Sequence, residues 1–363
     1  MSTAATAPTA GSSATNASPP PPPPSSSSSP PSPARRTSAV GWEEYFSTYP
    51  APPGTDTAGA RIDAFVAFHA RAQRRVVLVT SGGTTVPLEK NTVRFIDNFS
   101  AGTRGATSAE CFIEAGYAVI FLHRQFSLQP YSRDYTHSKN CFLDYMHARA
   151  DGTLEVDAKY SGHMKEVLAK YQKAKSENLL IMESFITVED YLFLLRRFTT
   201  AMSVLRENAM YYLAAAVSDF FVPKDKMIEH KIQSSGGHLE LQLDPVPKVI
   251  VPLVETWASK GFIVSFKLET EPAILIPKSR RALERYNHQL VIGNILSTRK
   301  KLVTMVTLDA VETIELSDAE LAQGVEIESR IIPDLVRRHD LWIGDGAPQH
   351  GAPLCTSTTT AAE

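Results

Sequence analysis

The feature that most constrains this chain is a repeated alternation of short apolar runs with stretches of helical periodicity. The runs are Val76 to Thr80, Ala118 to Leu122, Leu179 to Ser184, Tyr211 to Ala216, Phe262 to Phe266 and Leu290 to Ile295. Between most of them lie helical patterns, around Ile62 to Gln73, Gly105 to Glu114, Val188 to Arg206, Val249 to Trp257 and Ala273 to His288. Runs that are apolar throughout belong to strands buried on both faces, which happens where helices cover both sides of a parallel sheet. The pattern predicts an α/β fold: a doubly wound, mostly parallel sheet with helices on both faces. Leu302 to Leu308 reads as a further strand and Asp318 to Arg338 as a closing helix.

Three segments depart from the alternation. Residues 1–38 are almost wholly Ala, Ser, Thr and Pro, including a proline run from Pro19 to Pro24. Such a segment buries too little apolar surface to offset its ordering entropy, so a disordered tail is expected. Residues 344–363 read as a loose C-terminal tail, which leaves 39–343 as the α/β domain. The polar stretch of about 132–178 reads as an insertion between two core strands.

Charge narrows the partners. The 363 residues carry 37 Lys+Arg against 39 Asp+Glu, a net charge of -2, with no long basic run. Nucleic acid and anionic membranes both demand a concentrated positive field, so neither is expected as a partner. No window offers the roughly 18 uncharged apolar residues of a membrane-spanning helix. Cys111, Cys141 and Cys355 are scattered, with no CxxC pair, which fits a reducing compartment. The tail has neither the basic start nor the apolar core of a secretory signal, and its prolines oppose an amphipathic presequence. A cytoplasmic protein acting on small ligands is the expectation.

Open parallel sheets bind ligands beyond the carboxyl ends of their strands. After the first strand comes Thr80-Ser81-Gly82-Gly83-Thr84-Thr85, whose paired glycines and successive amides can form a phosphate-binding concavity, or simply a tight turn. It matches neither GxGxxG nor GxxxxGK[ST]. Arg94 to Gly105 leads into a helix, where Ser100, Gly102 and Gly105 can aim amides at an anion, or merely cap the helix. Leu213-Ala214-Ala215-Ala216-Val217-Ser218-Asp219 ends a strand in small residues and an acid. A flat ligand can lie there, with Asp219 meeting an amine or hydroxyl; a turn residue accounts for it equally. In His230-Lys231-Ile232-Gln233, Lys231 is a compact cation able to neutralise phosphate, or a solvated surface lysine. Phe266 and Asn294 close two further strands, where a ring can stack on a base and an amide can read a base edge with donor and acceptor; core and turn roles compete. HExxH, GxSxG and clustered His/Cys ligands are all absent, which disfavours a metalloprotease, an α/β-hydrolase and a structural zinc protein.

Taken in order, VTSGGTTVPL from Val79, RFIDNFSAGTRG from Arg94, LAAAVSDFFVP from Leu213, EHKIQSS from Glu229, SFKLET from Ser265 and VIGNI from Val291 closely resemble the phosphopantothenate–cysteine ligase family, also called phosphopantothenoylcysteine synthetases. The resemblance spans about Trp42 to His339 and is to the eukaryotic, monofunctional type. It implies a Rossmann-like fold, a homodimer with sites completed across the interface, and a ligase of coenzyme A biosynthesis. The implied reaction joins 4'-phosphopantothenate to L-cysteine through an acyl-nucleotide, with release of pyrophosphate and a nucleoside monophosphate. ATP or CTP is the implied cosubstrate, with Mg²⁺; the metal ligands stay unassigned. By position, Gly82, Ser100, Gly102, Gly105, Phe266 and Asn294 would hold the nucleotide. Asn98, Ala215, Ala216 and Asp219 would line the phosphopantothenate and acyl-nucleotide site. Asn98 would orient the acyl-nucleotide, and Lys231 would stabilise charge in the first step or meet the substrate phosphate. Two rivals make distinct demands. A nicotinamide-dependent oxidoreductase requires a GxGxxG turn where SGGTT stands. A non-catalytic regulatory descendant predicts loss of Asn98, Asp219 or Lys231, and all three are present.

Overall fold

A computed structural model describes residues 41–136, 141–233 and 238–344. The expected tail at 1–38 lies outside the described residues, as does the expected tail at 344–363 beyond Gly344, which ends the last helix, and with it Cys355.

Eight strands form the central sheet: β1 (Val76–Ser81), β2 (Ala118–Arg124), β3 (Leu180–Phe185), β4 (Ala209–Leu213), β5 (Phe262–Glu269), β6 (Leu290–Ile295), β7 (Leu302–Val306) and β8 (Val311–Glu315). Their spatial order is β8-β7-β6-β5-β4-β1-β2-β3. β1 lies parallel between β2 and β4, with Val76 opposite both Ala118 and Ala209. The sheet stays parallel from β3 across to β6, then turns antiparallel at β7 and β8. The chain runs outward from β1 in one direction, then returns and runs outward in the other, so the order reverses between β1 and β4. That reversal opens a crevice at the strands' carboxyl ends.

Alternate residues of each strand feed two cores. After the short α1 (Trp42–Thr48), Val76, Leu78, Ile120 and Tyr211 pack with α2 (Thr55–Arg71) and α5 (Val188–Met202) on one face. Val77, Val79, Phe121, Tyr212 and Val264 pack on the other, with α3 (Thr103–Glu114) and the last helix, Glu328–Gly344. All six β1 residues are buried, which is why the strand reads as an apolar run up to Thr80 and Ser81. The cores bury β-branched and aromatic side chains worth about 1.5–3 kcal/mol each. α5 is started by a capping box in which Thr187 Oγ1 accepts from the Asp190 amide and Asp190 accepts from the Thr187 amide.

The structure departs from the sequence expectation at four places. The fourth strand stops at Leu213 rather than Ala216, because Ala214–Ala216 turn away to bond with the loop after β1. The closing helix is two, Asp318–Ala322 and Glu328–Gly344, separated where Gly324 takes a φ of +77°. β8 was not expected: it is an edge strand whose Glu312 and Glu315 break the apolar run. The polar stretch is only partly an insertion, since α4 (Ala158–Ser176) is the crossover helix joining β2 to β3. A short ribbon, Met146–Ala148 with Leu154–Val156, is what is added. Among the described residues no helix is long and apolar enough to cross a membrane.

Candidate functional site

Three backbone segments meet at the crevice between β1 and β4. The loop after β1 is bonded to the turn after β4 by Ala216 N–H donating to Gly82 O (2.8 Å) and Thr84 N–H donating to Ala216 O (3.0 Å). Two buried threonines extend the seam: Thr80 Oγ1 accepts from the Ala215 amide (3.1 Å) and Thr84 Oγ1 from the Ser218 amide (2.9 Å). The third segment carries Asn98, whose amide donates to Thr84 O (3.2 Å). Beside it, Asp97 accepts from Arg124 at the end of β2 (2.6 Å). Asn98 is thus pinned through its backbone, whereas its side-chain amide bonds to no described residue.

Glycine is required where these segments touch. A Cβ on Gly83 would lie 1.6 Å from Asn98 O, and one on Gly105 would lie 2.4 Å from the Ser81 side chain. Gly102, the N-cap of α3, has a φ of +85° and no side-chain cap. Its carbonyl accepts from Ser81 Oγ (3.0 Å), which draws the helix start against the end of β1. The first-turn amides at Thr103, Arg104 and Gly105 have no intrahelical acceptor and carry the positive end of the helix dipole, so this helix start is able to accept an anion's oxygens.

The expected base-holding residues sit on the same side of α3. Phe266 meets Tyr212 edge to face, ring centroids 5.0 Å apart. Tyr212, its hydroxyl pKa raised by burial, contacts Ser108 of α3 (2.9 Å). Asn294 is buried at the end of β6 and accepts through Oδ1 from Arg104 Nη2 (3.1 Å). Gly82, Asn98, Ala215 and Ala216 are thus tied into one backbone seam at the end of β1, with the Ser100 amide 3.4 Å from a Cβ placed on Gly83; Gly102 and Gly105 meet the seam through Ser81, and Asn294 is joined to α3 by Arg104.

Asp219 and Lys231 stand further out. Asp219 is exposed and accepts from Lys248 Nζ (2.9 Å), on the rim of an apolar hollow lined by Tyr191, Leu213, Ala215, Val217 and Val249. Lys231 is exposed, its carbonyl accepting from Gln233. What holds its loop is a buried acid that sequence reasoning passed over. Glu89 accepts from the amides of Arg94 (3.0 Å) and Ile232 (3.4 Å) and from the Arg94 guanidinium (3.1 Å). Arg94 Nη1 also donates to Ile232 O (2.9 Å). Burial alone would raise the Glu89 carboxyl; the amides of Arg94, Ile232 and Val93 and the Arg94 charge hold it below the ordinary carboxylate value. Glu89 stands between two recognised phrases, and no spacing marked it. Arg104 was inside one, unremarked because a lone arginine at a helix start reads as solvated surface.

A doubly wound sheet with a glycine-lined, amide-rich crevice at its strand-order reversal defines a Rossmann-like α/β protein, a class whose ligands bind at such a crevice. The family model for the DNA/pantothenate metabolism flavoprotein C-terminal domain matches residues 72–140 and 196–324. The human phosphopantothenate–cysteine ligase is 47% identical over 302 residues, which cover 82% of this chain and 96% of that protein. The Saccharomyces cerevisiae ligase CAB2 is 44% identical, covering 83% and 86%. A solved structure of a Cab2 variant in complex with phosphopantothenate-cysteine superposes with a TM-score of 0.78 at 44% identity, covering 84% of this chain and all of that one. The chain belongs to the phosphopantothenate–cysteine ligase family.

Proposed function

We propose that the protein joins the carboxylate of 4'-phosphopantothenate to the amine of L-cysteine in coenzyme A biosynthesis. The carboxylate attacks the α-phosphate of a nucleoside triphosphate, pyrophosphate leaves, and the cysteine amine displaces the nucleoside monophosphate to form the amide. The observation that carries this reading is the meeting, at one crevice, of the Gly82-Gly83 loop, the open start of α3 and the Ala215-Ala216 turn, in a chain of this family.

Roles follow from the geometry. The α3 amides and the glycines of the β1 loop suit the triphosphate, where a preorganised dipole stabilises charge without reorganising. Phe266 and Asn294 suit the base. Ala215 and Ala216 offer no side-chain bulk, so a flat acyl chain can lie on the seam, and Asp219 stands at its outer end. The free Asn98 amide can orient the acyl-nucleotide without adding charge. Lys231, on the loop that Glu89 and Arg94 hold, supplies a mobile positive charge for the pyrophosphate or the substrate phosphate.

Among the described residues no three His, Cys, Asp or Glu side chains stand together as a metal site. Mg²⁺, which needs at most one or two carboxylates beside the nucleotide phosphates, enters this reading as the counter-ion of the nucleotide. Val93, Phe95, Phe99, Phe220 and Ile228 are large apolar side chains exposed near this face, Phe99 by 90%. Such a surface suits a second copy of the chain, as a homodimer. The free thiols Cys111 and Cys141 support a cytoplasmic setting. The division into a 1–38 tail, a 39–343 domain and a 344–363 tail belongs to the same reading.

The test is pyrophosphate release from the purified protein with 4'-phosphopantothenate, L-cysteine and Mg²⁺, comparing ATP with CTP, and detection of the amide product by mass spectrometry. Both signals are expected with one nucleotide or the other. Their absence with both nucleotides, in folded protein, refutes the reading.

A further inference from the structure

The Arg104 side chain makes three hydrogen bonds at the crevice, and the chemistry of its partners bears on the nucleotide base. It projects from the first turn of α3 and is only 17% exposed. Its Nη1 donates to Glu328 Oε1 (2.8 Å), and its Nη2 donates to Arg299 O (2.6 Å) and to Asn294 Oδ1 (3.1 Å). Glu328 is itself buried; burial raises its carboxyl above the ordinary value, a rise that the Arg104 charge opposes without cancelling. The guanidinium is held on two sides and cannot rotate away from Asn294 without leaving a buried carboxylate unpaired.

An arginine only donates hydrogen bonds, so the Asn294 atom facing it must be the oxygen. That settles an amide orientation which is otherwise open. Nδ2 is left with a long contact to Ile292 O (3.4 Å) and a second N–H to offer. The amide expected from the sequence to read a base as both donor and acceptor is committed to donate.

Resting on the reading of Asn294 and Phe266 as the base subsite, we infer that Arg104 is a positioning residue that sets nucleotide specificity. It turns Asn294 into a fixed N–H donor, so the site takes a base whose ring nitrogen is a bare acceptor beside an amino group. Adenine at N1 and cytosine at N3 meet that condition. Hypoxanthine and uracil carry a hydrogen at the equivalent nitrogen, beside a carbonyl, and would set donor against donor.

ATP against ITP, and CTP against UTP, differ at this edge. Their affinities for the full-length protein in Mg²⁺ are measured by calorimetry, alongside pyrophosphate release. Wild type is expected to favour the amino-bearing member of whichever pair it binds by about tenfold or more, the scale on which a buried unpaired polar group is rejected. The double variant Arg104→Met/Glu328→Gln removes the buried acid's charge together with its partner, and frees the amide to flip. Its ratio is expected to fall to within about twofold. Asn294→Asp keeps the shape, replaces the donor by an acceptor and rests against Arg104; it is expected to invert the preference, and it tests the idea even where the double variant does not fold. Equal affinity of wild type for both members overturns the inference, as does a double variant that weakens both nucleotides alike and keeps their ratio. Discrimination by binding without pyrophosphate release upholds the inference and refutes the ligase reading. Failure to bind any of the four nucleotides overturns both.

Discussion

Replacing Gly83 by alanine sets a methyl group against the carbonyl of Asn98. The new Cβ would sit 1.6 Å from Asn98 O and 2.8 Å from its carbonyl carbon. Ordinary contact needs about 3.5 Å, so one segment must retreat by roughly 1.5–2 Å. Neither has slack: Asn98 N–H is bonded to Thr84 O, and the glycine loop is stitched to Ala216 on both sides. The strain is of the overpacking kind, about 1–3 kcal/mol of stability, which a domain with two large cores tolerates. The effect on catalysis is larger, because displacing a positioning group by 1 Å can cost about 100-fold. Gly83→Ala is therefore expected to retain the wild-type circular dichroism spectrum, with a modestly lower urea midpoint, and to lose about 100-fold in kcat/KM for 4'-phosphopantothenate. Gly162→Ala is the control: nothing lies within 4 Å of its Cβ, on the surface of α4, and it is expected to stabilise by about 0.4–1 kcal/mol with activity unchanged. A fully active Gly83→Ala enzyme would refute the reasoning, since Asn98 would then tolerate displacement.

Other consequences can be checked separately. Asn98→Ala is expected to leave the fold intact and block passage through the acyl-nucleotide; amide formation at the wild-type rate would remove Asn98 from that role. Lys231→Gln should slow pyrophosphate release by several-fold or more, and an unchanged single-turnover rate counts against it. Buried His339 donates from Nε2 to Glu207 O (2.8 Å), which in the neutral ring leaves Nδ1 to accept from the Tyr117 hydroxyl (2.8 Å). Burial lowers its pKa from 6.5 to about 4. The unfolded chain therefore takes up this proton first as pH falls. The contribution is whole above pH 6.5 and drains away toward pH 4, roughly 3 kcal/mol in all. His339→Gln, which can accept and donate at the same places without charging, is expected to flatten that part of the urea-midpoint profile; an unaltered slope would show that another group carries it.

Much of the fold was legible because burial on both faces of a parallel strand leaves a direct trace. Val76 to Ser81 is apolar up to its last two residues and wholly buried, and β6 matches its run end to end. β8 left no such trace, since an exposed edge strand needs no apolar run. The helix break at Gly324 depends on one left-handed residue inside an otherwise continuous pattern. In the site, glycines and alanines were conspicuous because close approach of two backbones excludes larger side chains. Glu89 and Arg104 were not, for the worth of a buried charge lies in partners remote along the chain: Ile232 for one, Asn294 and Glu328 for the other.

Periodicity and ordered phrases, read from the chain alone, determined the class of fold, the family and the list of residues at the strand ends. Tertiary structure decided how those residues stand to one another. It turned Ala214–Ala216 out of the sheet onto the β1 loop, left the Asn98 amide free while pinning its backbone, and aimed the Asn294 oxygen at Arg104. The reason is physical: local sequence sets backbone preference and burial, whereas the direction of a hydrogen bond depends on which groups distant in sequence arrive to share it.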